Sequence, residues 1–362
     1  MNRRQFVGAT GAALAAAGAA AQTSTGGPAA DYKPGKAVMQ VGCQRSSTDA
    51  HLNLLARHGV KHACGYPEQG EGGSFEVDAM ERLVERGRKH GVSIDMIQFP
   101  LPSSYITRSP MPNIMMGKSP ERDKEIERCC QIIRNAAKAG IPSIKYNMSI
   151  LGVLSTEPIT GRGGVRQRTW VYAKAKQDPP LTEAGPSPEP VMWERITYFL
   201  TRVAPVANEY KVRIACHPHD PGVPKAGFRG VDRVLGTVDG LKKFVSISEN
   251  PYHGLNFCQG TVSEMLQDPG KEIFDVIRYF GQRKKIFNVH FRNIKGKRDD
   301  FTETYPQDGD INFFKAMQVY KEIGYPYMMM PDHMPTHQSD QGGNQAFSFA
   351  YGYITGLIQA VS

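Results

Sequence analysis

The chain has 362 residues, of which 40% are hydrophobic and 22% are charged, so it can bury a large core without disulfides or a partner chain. Its formal charge of +9 is not concentrated in Lys/Arg clusters interleaved with aromatic residues, which argues against nucleic-acid binding. Beyond the first 22 residues, no segment approaches the roughly 18 consecutive apolar residues that a membrane span needs.

The first 22 residues resemble a twin-arginine export leader. Arg3 and Arg4 precede a short, mildly apolar Ala/Gly run, and the alanines at 19–21 suit a leader peptidase. A disordered Ala-rich tail is the alternative interpretation. The leader predicts a periplasmic or secreted protein, and its removal takes the formal charge from +9 to +7 because two arginines are lost.

The six cysteines do not form the pattern of a small disulfide-stapled domain. Cys129 and Cys130 are adjacent within a helical pattern, and Cys216 and Cys258 lie at the ends of apolar runs. A stapled domain is short and has an even framework of spaced cysteines. The cysteines are therefore better read as core residues or metal ligands.

Strand-like apolar runs alternate with amphipathic stretches along the rest of the chain. Eight runs have strand length, at residues 38–44, 62–67, 94–100, 141–148, 213–220, 255–260, 286–293 and 327–333. Helical periodicity covers residues 48–59, 78–91, 121–140, 192–211, 239–247, 272–285, 311–324 and 345–361. Eight β/α alternations predict an α/β fold of the (β/α)8 type, a TIM barrel, as a single domain over residues 35–362. An open doubly wound sheet is the alternative, although the first run is not followed by its typical glycine-rich loop.

One connection is longer than an ordinary loop. Residues 149–189, after the fourth strand, are rich in Pro and Gly and contain Arg162, Arg166 and Arg168. A loop at this position projects over the C-terminal end of a barrel, where active sites lie. We expect a substrate-binding excursion whose three arginines contact a substrate carboxylate. A disordered insertion, or one that contacts another copy in a homo-oligomer, is the alternative.

Four successive strands end in residues that can bind a metal. His217 ends the fifth strand, Cys258 the sixth and His290 the seventh, and Asp332 follows the eighth. The C-terminal ends of barrel strands converge, so these side chains are expected to meet. Imidazole, thiolate and carboxylate together suit Mn, Fe, Co or Zn. His219, just beyond the fifth strand, is a candidate to orient a ligand imidazole or to contact the substrate.

The chain resembles the mannonate dehydratases, a family of xylose-isomerase-like barrels. The resemblance covers most of the chain after the leader and is carried by RDKEIERCCQIIRNAAKAGIPSIKYNM, CHPHDP, GLNFCQG, VHFRNIKG, FTETYPQDGDIN and MPDH. It implies a TIM barrel that holds Mn or a similar divalent ion on His217, Cys258, His290 and Asp332. It also implies a lyase that removes water from an aldonate such as D-mannonate and gives a 2-keto-3-deoxy sugar acid.

Two further residues take roles from this resemblance. Arg292 matches a position that binds substrate, and His333 matches an acid/base position. The chemistry agrees with these roles, because an arginine can pair with the substrate acid and a histidine can move a proton during the loss of water. We therefore expect both residues to act in catalysis.

The chain departs from the family in three ways. Gly342 falls where the family has a tyrosine, the segment MIQFPLP at residues 96–102 lacks the acidic residue that the family has near the third strand, and an export leader is unusual for sugar-acid breakdown. Tyr146, Tyr305 or Glu303 is a candidate to compensate, and Tyr146 is predicted to contact the substrate. A metal-dependent sugar isomerase or epimerase, or a secreted sugar-acid-binding protein without turnover, is therefore an alternative function.

Overall fold

The computed structural model describes residues 37–362, which form a closed barrel of eight parallel strands surrounded by helices. The barrel strands, numbered one to eight in chain order, are Gln40–Cys43, His62–Gly65, Ser93–Gln98, Ser143–Asn147, Arg213–His217, His253–Cys258, Ile286–His290 and Met328–Met330. The barrel closes where the first strand pairs with the eighth. The predicted (β/α)8 fold is confirmed, and the open doubly wound sheet is wrong. The predicted leader, residues 1–22, lies outside the described residues.

Ten α-helices lie in the described part of the chain. They are α1 (Asp49–Arg57), α2 (Val77–Lys89), α3 (Pro112–Met116), α4 (Glu121–Lys138), α5 (Glu189–Tyr210), α6 (Val238–Ser246), α7 (Gln259–Ser263), α8 (Pro269–Gln282), α9 (Phe313–Glu322) and α10 (Asn344–Val361). Eight of them coincide with the predicted helical stretches. The other two, α3 and α7, have five residues each and are too short to show a helical period.

The main core lies between the barrel and the helices, and a smaller cluster fills the barrel itself. The inner cluster consists of Cys64, Met96, Ala215, Phe287, Met328 and Met330. Such a layer makes the barrel a packed structure rather than a pore, so a ligand is excluded from its middle. The six cysteines are all buried and free, which agrees with the absence of a disulfide framework.

The fourth strand shows how alternation separates the interior of the barrel from the helix layer. Lys145 lines a pocket at the C-terminal end of the barrel, whereas Tyr146 points outward between Phe99 and Phe199, with ring centroids 5.8 and 5.5 Å away. Neighbouring residues of a strand face opposite sides, so these two side chains do not share a site. The prediction that Tyr146 contacts the substrate is wrong, because its ring is buried in the hydrophobic core.

The insertion at residues 149–189 is folded onto the barrel. Its segment Thr169–Val171 forms one edge of a three-stranded antiparallel sheet with Asp300–Thr304 and Asn293–Lys297, and Ile159–Thr160 pairs with Arg166–Gln167. Trp170 is 1% exposed and packs against Phe228 with a centroid distance of 5.6 Å. The disordered alternative for this insertion is therefore wrong.

Candidate metal centre and active site

The four residues predicted from the strand ends lie together. His217, Cys258, His290 and Asp332 are all buried, and one potential ligand atom from each lies within 4.8 Å of those of the others. Strand register explains this, because His290 is level with Cys258 on one side and with Met330, two residues before Asp332, on the other. Parallel pairing thus places the ends of consecutive strands in one layer.

The two histidines of this group are oriented by backbone and side-chain partners. His217 donates its Nδ1 proton to the Pro218 carbonyl (2.7 Å), which leaves Nε2 as the available lone pair. His290 Nε2 lies 3.1 Å from Asn256 Nδ2, and its Nδ1 lies 3.3 Å from Asp332 Oδ1. Burial is the main cause that lowers the pKa of His217 to about 3 and of His290 to about 4. Both rings are therefore neutral, as metal ligation requires.

The thiol of Cys258 is hydrogen-bonded to the carboxylate of Asp332. Cys258 Sγ lies 3.5 Å from Asp332 Oδ2 and accepts the Thr261 backbone N–H (3.4 Å) at the start of α7. Burial raises the pKa of the Cys258 thiol well above its usual value. Burial also opposes ionisation of Asp332, but the neighbouring His333, His290 and Arg292 outweigh it and hold its pKa well below the usual value.

These features fit a divalent cation. Buried His290 Nδ1 has no hydrogen-bond partner in the described part of the chain although it faces Asp332. A thiol and a carboxylate this close favour a cation between them, because the cation stabilises both anions. The N₂SO donor set suits a transition metal. The group can therefore hold a metal ion.

Arg292 lies at the centre of the acidic groups behind the metal centre. Its Nη2 donates to Asp220 Oδ2 (3.0 Å) and Glu264 Oε1 (2.8 Å), its Nη1 donates to Glu303, and its Nε lies 3.5 Å from Asp332 Oδ2. The residue is 2% exposed and does not line the pocket. The expectation that Arg292 pairs with the substrate acid is therefore wrong, because four protein carboxylates already surround its guanidinium. Its role is to position them.

His333 lies at the border between this network and the pocket. Its Nδ1 is 2.9 Å from Glu303 Oε1 and 2.6 Å from Arg292 Nη1, and its Nε2 is 3.9 Å from Asp332 Oδ1. Burial opposes its protonation, but the charges of Asp332 and Glu303 outweigh burial and raise its pKa above the usual value. The side chain is 28% exposed and lines the pocket, so it can exchange a proton with a bound ligand.

The three arginines of the insertion have different surroundings. Arg168 Nη1 lies 3.0 Å from His333 Nδ1 and 3.5 Å from Glu303 Oε1, so it reaches the site. Arg162 is 63% exposed and pairs with Asp308 (3.0 Å), and Arg166 is exposed. Neither contributes to the pocket that contains His333. The prediction of a substrate contact from Arg162 and Arg166 is therefore wrong for this pocket.

His219 is occupied by the backbone on both sides of its ring. Its Nε2 donates to the Met148 carbonyl (2.8 Å) and its Nδ1 accepts the Leu235 N–H (3.2 Å). Burial lowers its pKa to about 3. The prediction that His219 contacts substrate or orients a ligand is wrong, since no ring nitrogen is left for either. It instead links the fourth strand to the loop before α6.

The pocket above the metal centre has a volume of about 180 Å³. Its lining consists of Gln44, Arg45, Ser103, Lys145, Val153, His217, Asp220, His290, Asp332, His333 and Phe347. Lys145 Nζ donates to Gln44 Oε1 (2.7 Å), and Gln44 Nε2 donates to Asp332 Oδ1 (3.2 Å). Burial lowers the pKa of Lys145. Sequence reasoning missed both residues, although a lysine inside an apolar strand was a usable signal, because lysine is rarely fully buried without a partner.

The first turns of α10 reach one side of this pocket through Phe347, and the loop before α10 contacts Arg45, which also lines the pocket. Gly342 adopts a φ of +78°, a conformation that a tyrosine would adopt only with strain. Arg45 donates to the Gly342 carbonyl and to Asn344 Oδ1 (3.0 Å), and its guanidinium stacks on the Phe347 ring at 4.2 Å. The loop that lacks the tyrosine is thus built around a glycine turn held by Arg45.

The fold and the site together define a class: a xylose-isomerase-like barrel with a buried His/Cys/His/Asp group that can hold a metal. The model of the family described as D-mannonate dehydratase (UxuA) matches residues 188–362. A mannonate dehydratase of Thermotoga petrophila is 27% identical over 326 residues, which is 79% of this chain and 86% of that relative. One of Endomicrobium trichonymphae is 27% identical over 297 residues, which is 72% of this chain and 77% of that relative.

Solved structures agree on the fold. The mannonate dehydratase of Streptococcus suis serotype 2 superposes with a TM-score of 0.75 at 21% identity and covers 89% of this chain and 95% of its own. D-psicose 3-epimerase of Clostridium cellulolyticum H10 gives 0.56 at 12% identity, with 88% of this chain and 99% of its own covered. The family model and these relatives agree with the predicted resemblance to the mannonate dehydratases, which are hydro-lyases, and the resemblance is confirmed. In the described residues, no helix is long and apolar enough to cross a membrane.

Proposed function

We propose that the protein is a metal-dependent hydro-lyase that converts D-mannonate, or a similar aldonate, to a 2-keto-3-deoxy sugar acid. The observation that carries this proposal is the position of His333, which borders a small polar pocket beside the His217, Cys258, His290 and Asp332 group. The match to the family model supports the same reaction class. The closed barrel supports it as well, because enzymes of this fold place catalytic residues at the C-terminal ends of the strands.

The reaction removes a proton from C2 and hydroxide from C3 of the acid. The resulting enol becomes the keto acid when its C2 hydroxyl loses a proton and C3 takes one up. A divalent ion, with Mn favoured over Fe, Co or Zn, would stabilise negative charge on substrate oxygens. His333 is placed to move a proton at Nε2, because its Nδ1 is held by Glu303 and Arg292. Arg168 approaches the same ring from the insertion and limits its rotation.

A second candidate function is a sugar isomerase or epimerase of the same superfamily. The observation that favours it is Gly342. This residue has no side chain, so it cannot provide the proton donor that a tyrosine would provide at its position. Isomerisation and epimerisation move protons without expelling hydroxide, so they need less acid assistance at the leaving group. The two functions differ in product, because only dehydration yields a 2-keto-3-deoxy acid.

We also propose that the protein is exported by the twin-arginine route. Support comes from Arg3 and Arg4 and from the Ala/Gly run that follows them. A fusion of residues 1–22 to a reporter that needs export as a folded protein is expected to reach the periplasm. Replacement of both arginines by lysine is expected to retain it in the cytoplasm, and retention of the unaltered fusion would contradict the proposal.

Metal content and turnover test the proposed reaction. Wild type is expected to bind about one divalent ion per chain, while Cys258→Ala and His290→Ala lose it and no longer form 2-keto-3-deoxy acid from D-mannonate. His253→Gln is the matched control, because His253 is also buried but donates to the Phe244 carbonyl outside the group. A wild-type protein that binds the metal but leaves mannonate unchanged would exclude the dehydratase. Conversion of a ketose would then favour the epimerase.

A further inference from the structure

An acid-binding pocket needs a cation that the protein has not already neutralised. Arg292, the expected partner of the substrate acid, is surrounded by Asp220, Glu264, Glu303 and Asp332. Its guanidinium is enclosed by protein and does not line the pocket. An anionic substrate must therefore find its positive partner elsewhere in the site.

Three other cationic side chains lie near the pocket, and two of them are engaged. Arg45 donates both of its Nη groups to the loop before α10 and stacks on the Phe347 ring, so its guanidinium is turned toward that loop. Arg168 faces the carboxylate of Glu303. Lys145 differs, because its Nζ makes one hydrogen bond, to the neutral amide of Gln44, within the described part of the chain. An ammonium group has three N–H donors. Two donors of a 7% exposed lysine are thus left for a ligand in the pocket.

Barrel topology places Lys145 across the pocket from His333. Around the closed ring the fourth strand is four positions away from the eighth in either direction. Lys145 belongs to the fourth strand, and His333 follows the eighth. Both line the same pocket of about 180 Å³, which His217, His290 and Asp332 also line. A short ligand can therefore touch both side chains at once.

Gln44 fixes the direction of this lysine. Its Nε2 donates to Asp332 Oδ1, so its Oε1 is turned toward Lys145 Nζ. The amide is neutral, and in the described part of the chain no carboxylate forms an ion pair with the Lys145 ammonium, in contrast to the carboxylates around Arg292. The lysine is consequently oriented by a polar neighbour without being neutralised by it.

We propose that Lys145 binds the carboxylate of the substrate and thereby orients C2 and C3 toward His333. This assignment rests on the proposed function, since it takes the substrate to be a sugar acid. Loss of the C2 proton delocalises a second negative charge into the carboxylate, so the ammonium interacts more strongly with the transition state than with the ground state. Lys145 accordingly selects acids over uncharged sugars and contributes to kcat as well as to KM.

A second buried lysine provides a matched control. Lys285 is also almost fully buried, but its Nζ donates to the Asn250 carbonyl (2.9 Å) and lies 3.6 Å from Glu249. Its position just before the seventh strand puts it at the opposite end of the barrel. Lys285→Met therefore reports the general cost of removing a buried lysine, without a change in the pocket.

The test uses an inert pair of probes on the Mn-loaded protein. Glycolate is an α-hydroxy acid with no neighbouring hydroxyl to lose, and glycolamide is its uncharged counterpart. Calorimetry is expected to show that wild type and Lys285→Met prefer glycolate. Lys145→Met is expected to lose about 10- to 100-fold of that preference, the value of one charge-assisted hydrogen bond, while it keeps its metal content. Lys145→Arg, which retains the charge, should recover part of the preference.

Steady-state rates with D-mannonate complete the test. We expect Lys145→Met to lower kcat in addition to raising KM. Unchanged glycolate binding in Lys145→Met, or loss of its metal, would overturn the assignment, and Lys145→Gln decides the same question if the methionine variant does not fold. A wild type that selects glycolate through Lys145 yet does not dehydrate mannonate would refute the proposed reaction and leave the role of Lys145 intact.

Discussion

At the scale of single residues, the proton-transfer role of His333 depends on Glu303. The carboxylate of Glu303 lies 2.9 Å from His333 Nδ1, so it fixes the ring and favours its protonated form. Glu303→Gln is expected to lower kcat for dehydration by about 10- to 100-fold, a range typical for loss of a group that orients a catalytic side chain. Metal content should not change, because Glu303 is outside the ligand group.

Asp308→Asn is the control for Glu303, because Asp308 pairs with the exposed Arg162 instead of with the site. Turnover of this control is expected to equal that of wild type. If Glu303→Gln retained full kcat, His333 would not depend on this carboxylate, and its assignment as the proton-transfer group would need another orienting partner.

Arg292 has a structural role that can be separated from catalysis. Arg292→Met leaves the surrounding carboxylates without their buried cation, so the free energy of unfolding is expected to fall by about 3–5 kcal/mol. Denaturant titration in the absence of substrate measures this loss. Arg278→Met is the control, because Arg278 pairs with Glu322 near the surface and such pairs contribute roughly 0–1 kcal/mol. Equal stability of the two variants would contradict the positioning role.

His219 makes a prediction about acid stability. Its folded-state pKa of about 3 lies below the ordinary value near 6.5, so the unfolded chain binds a proton that the folded chain excludes. Its contribution to stability is therefore present above about pH 6.5 and is lost as the pH falls toward 3, by about 1.4 kcal/mol per pH unit. His219→Gln is expected to be less stable at pH 7 but to lose stability less steeply on acidification.

The slope of unfolding free energy against pH, measured from pH 7 to pH 4, checks this prediction. His58→Gln serves as the control, because His58 is exposed. An unchanged slope in His219→Gln would mean that other buried histidines, such as His217 and His253, dominate the acid response.

At the scale of elements, the three-stranded sheet carries Glu303 to the site. Phe301 pairs with Trp170 in the register of this sheet, and the Glu303 N–H donates to the Arg168 carbonyl (2.8 Å). Trp170→Ala removes the buried anchor of the insertion strand and is expected to cost about 3–5 kcal/mol. Trp170→Ala should also lower kcat, because Glu303 and Arg168 lose their common support. Leu181→Ala, at an exposed position of the same insertion, is the control and should change neither the free energy of unfolding nor kcat.

The sequence predicts some parts of this site well and others poorly, for physical reasons. Strand ends can be read from apolar runs, so the meeting of His217, Cys258, His290 and Asp332 follows from the barrel alone. The surroundings of Arg292 cannot be predicted from apolar runs, because they combine Asp220 from a loop, Glu264 at the end of α7 and Glu303 from the three-stranded antiparallel sheet. Glu303 reaches His333 through antiparallel pairing with the insertion, and such pairing leaves no periodic signal in an irregular segment.

At the scale of the whole molecule, the metal centre joins the second half of the barrel. Its four residues follow or end the fifth to eighth strands, so a bound ion would link four elements at once. The unfolded chain cannot assemble the group, and binding to the folded state alone must stabilise that state. The interior cluster that includes Cys64, Met96 and Met330 is a separate, packed apolar layer inside the barrel and does not belong to this group.

Thermal unfolding with and without metal tests this link across the barrel. At a free Mn concentration of about 100 times the dissociation constant, the folded state gains about 2.7 kcal/mol, so the Tm of wild type is expected to rise by several degrees and to fall again with a chelator. Cys258→Ala should show little or no shift, whereas Lys285→Met should shift like wild type although its starting Tm is lower. A Tm that responds to Mn equally in wild type and Cys258→Ala would place the bound ion elsewhere. In that case the strand-end residues would be held together by packing and hydrogen bonds alone.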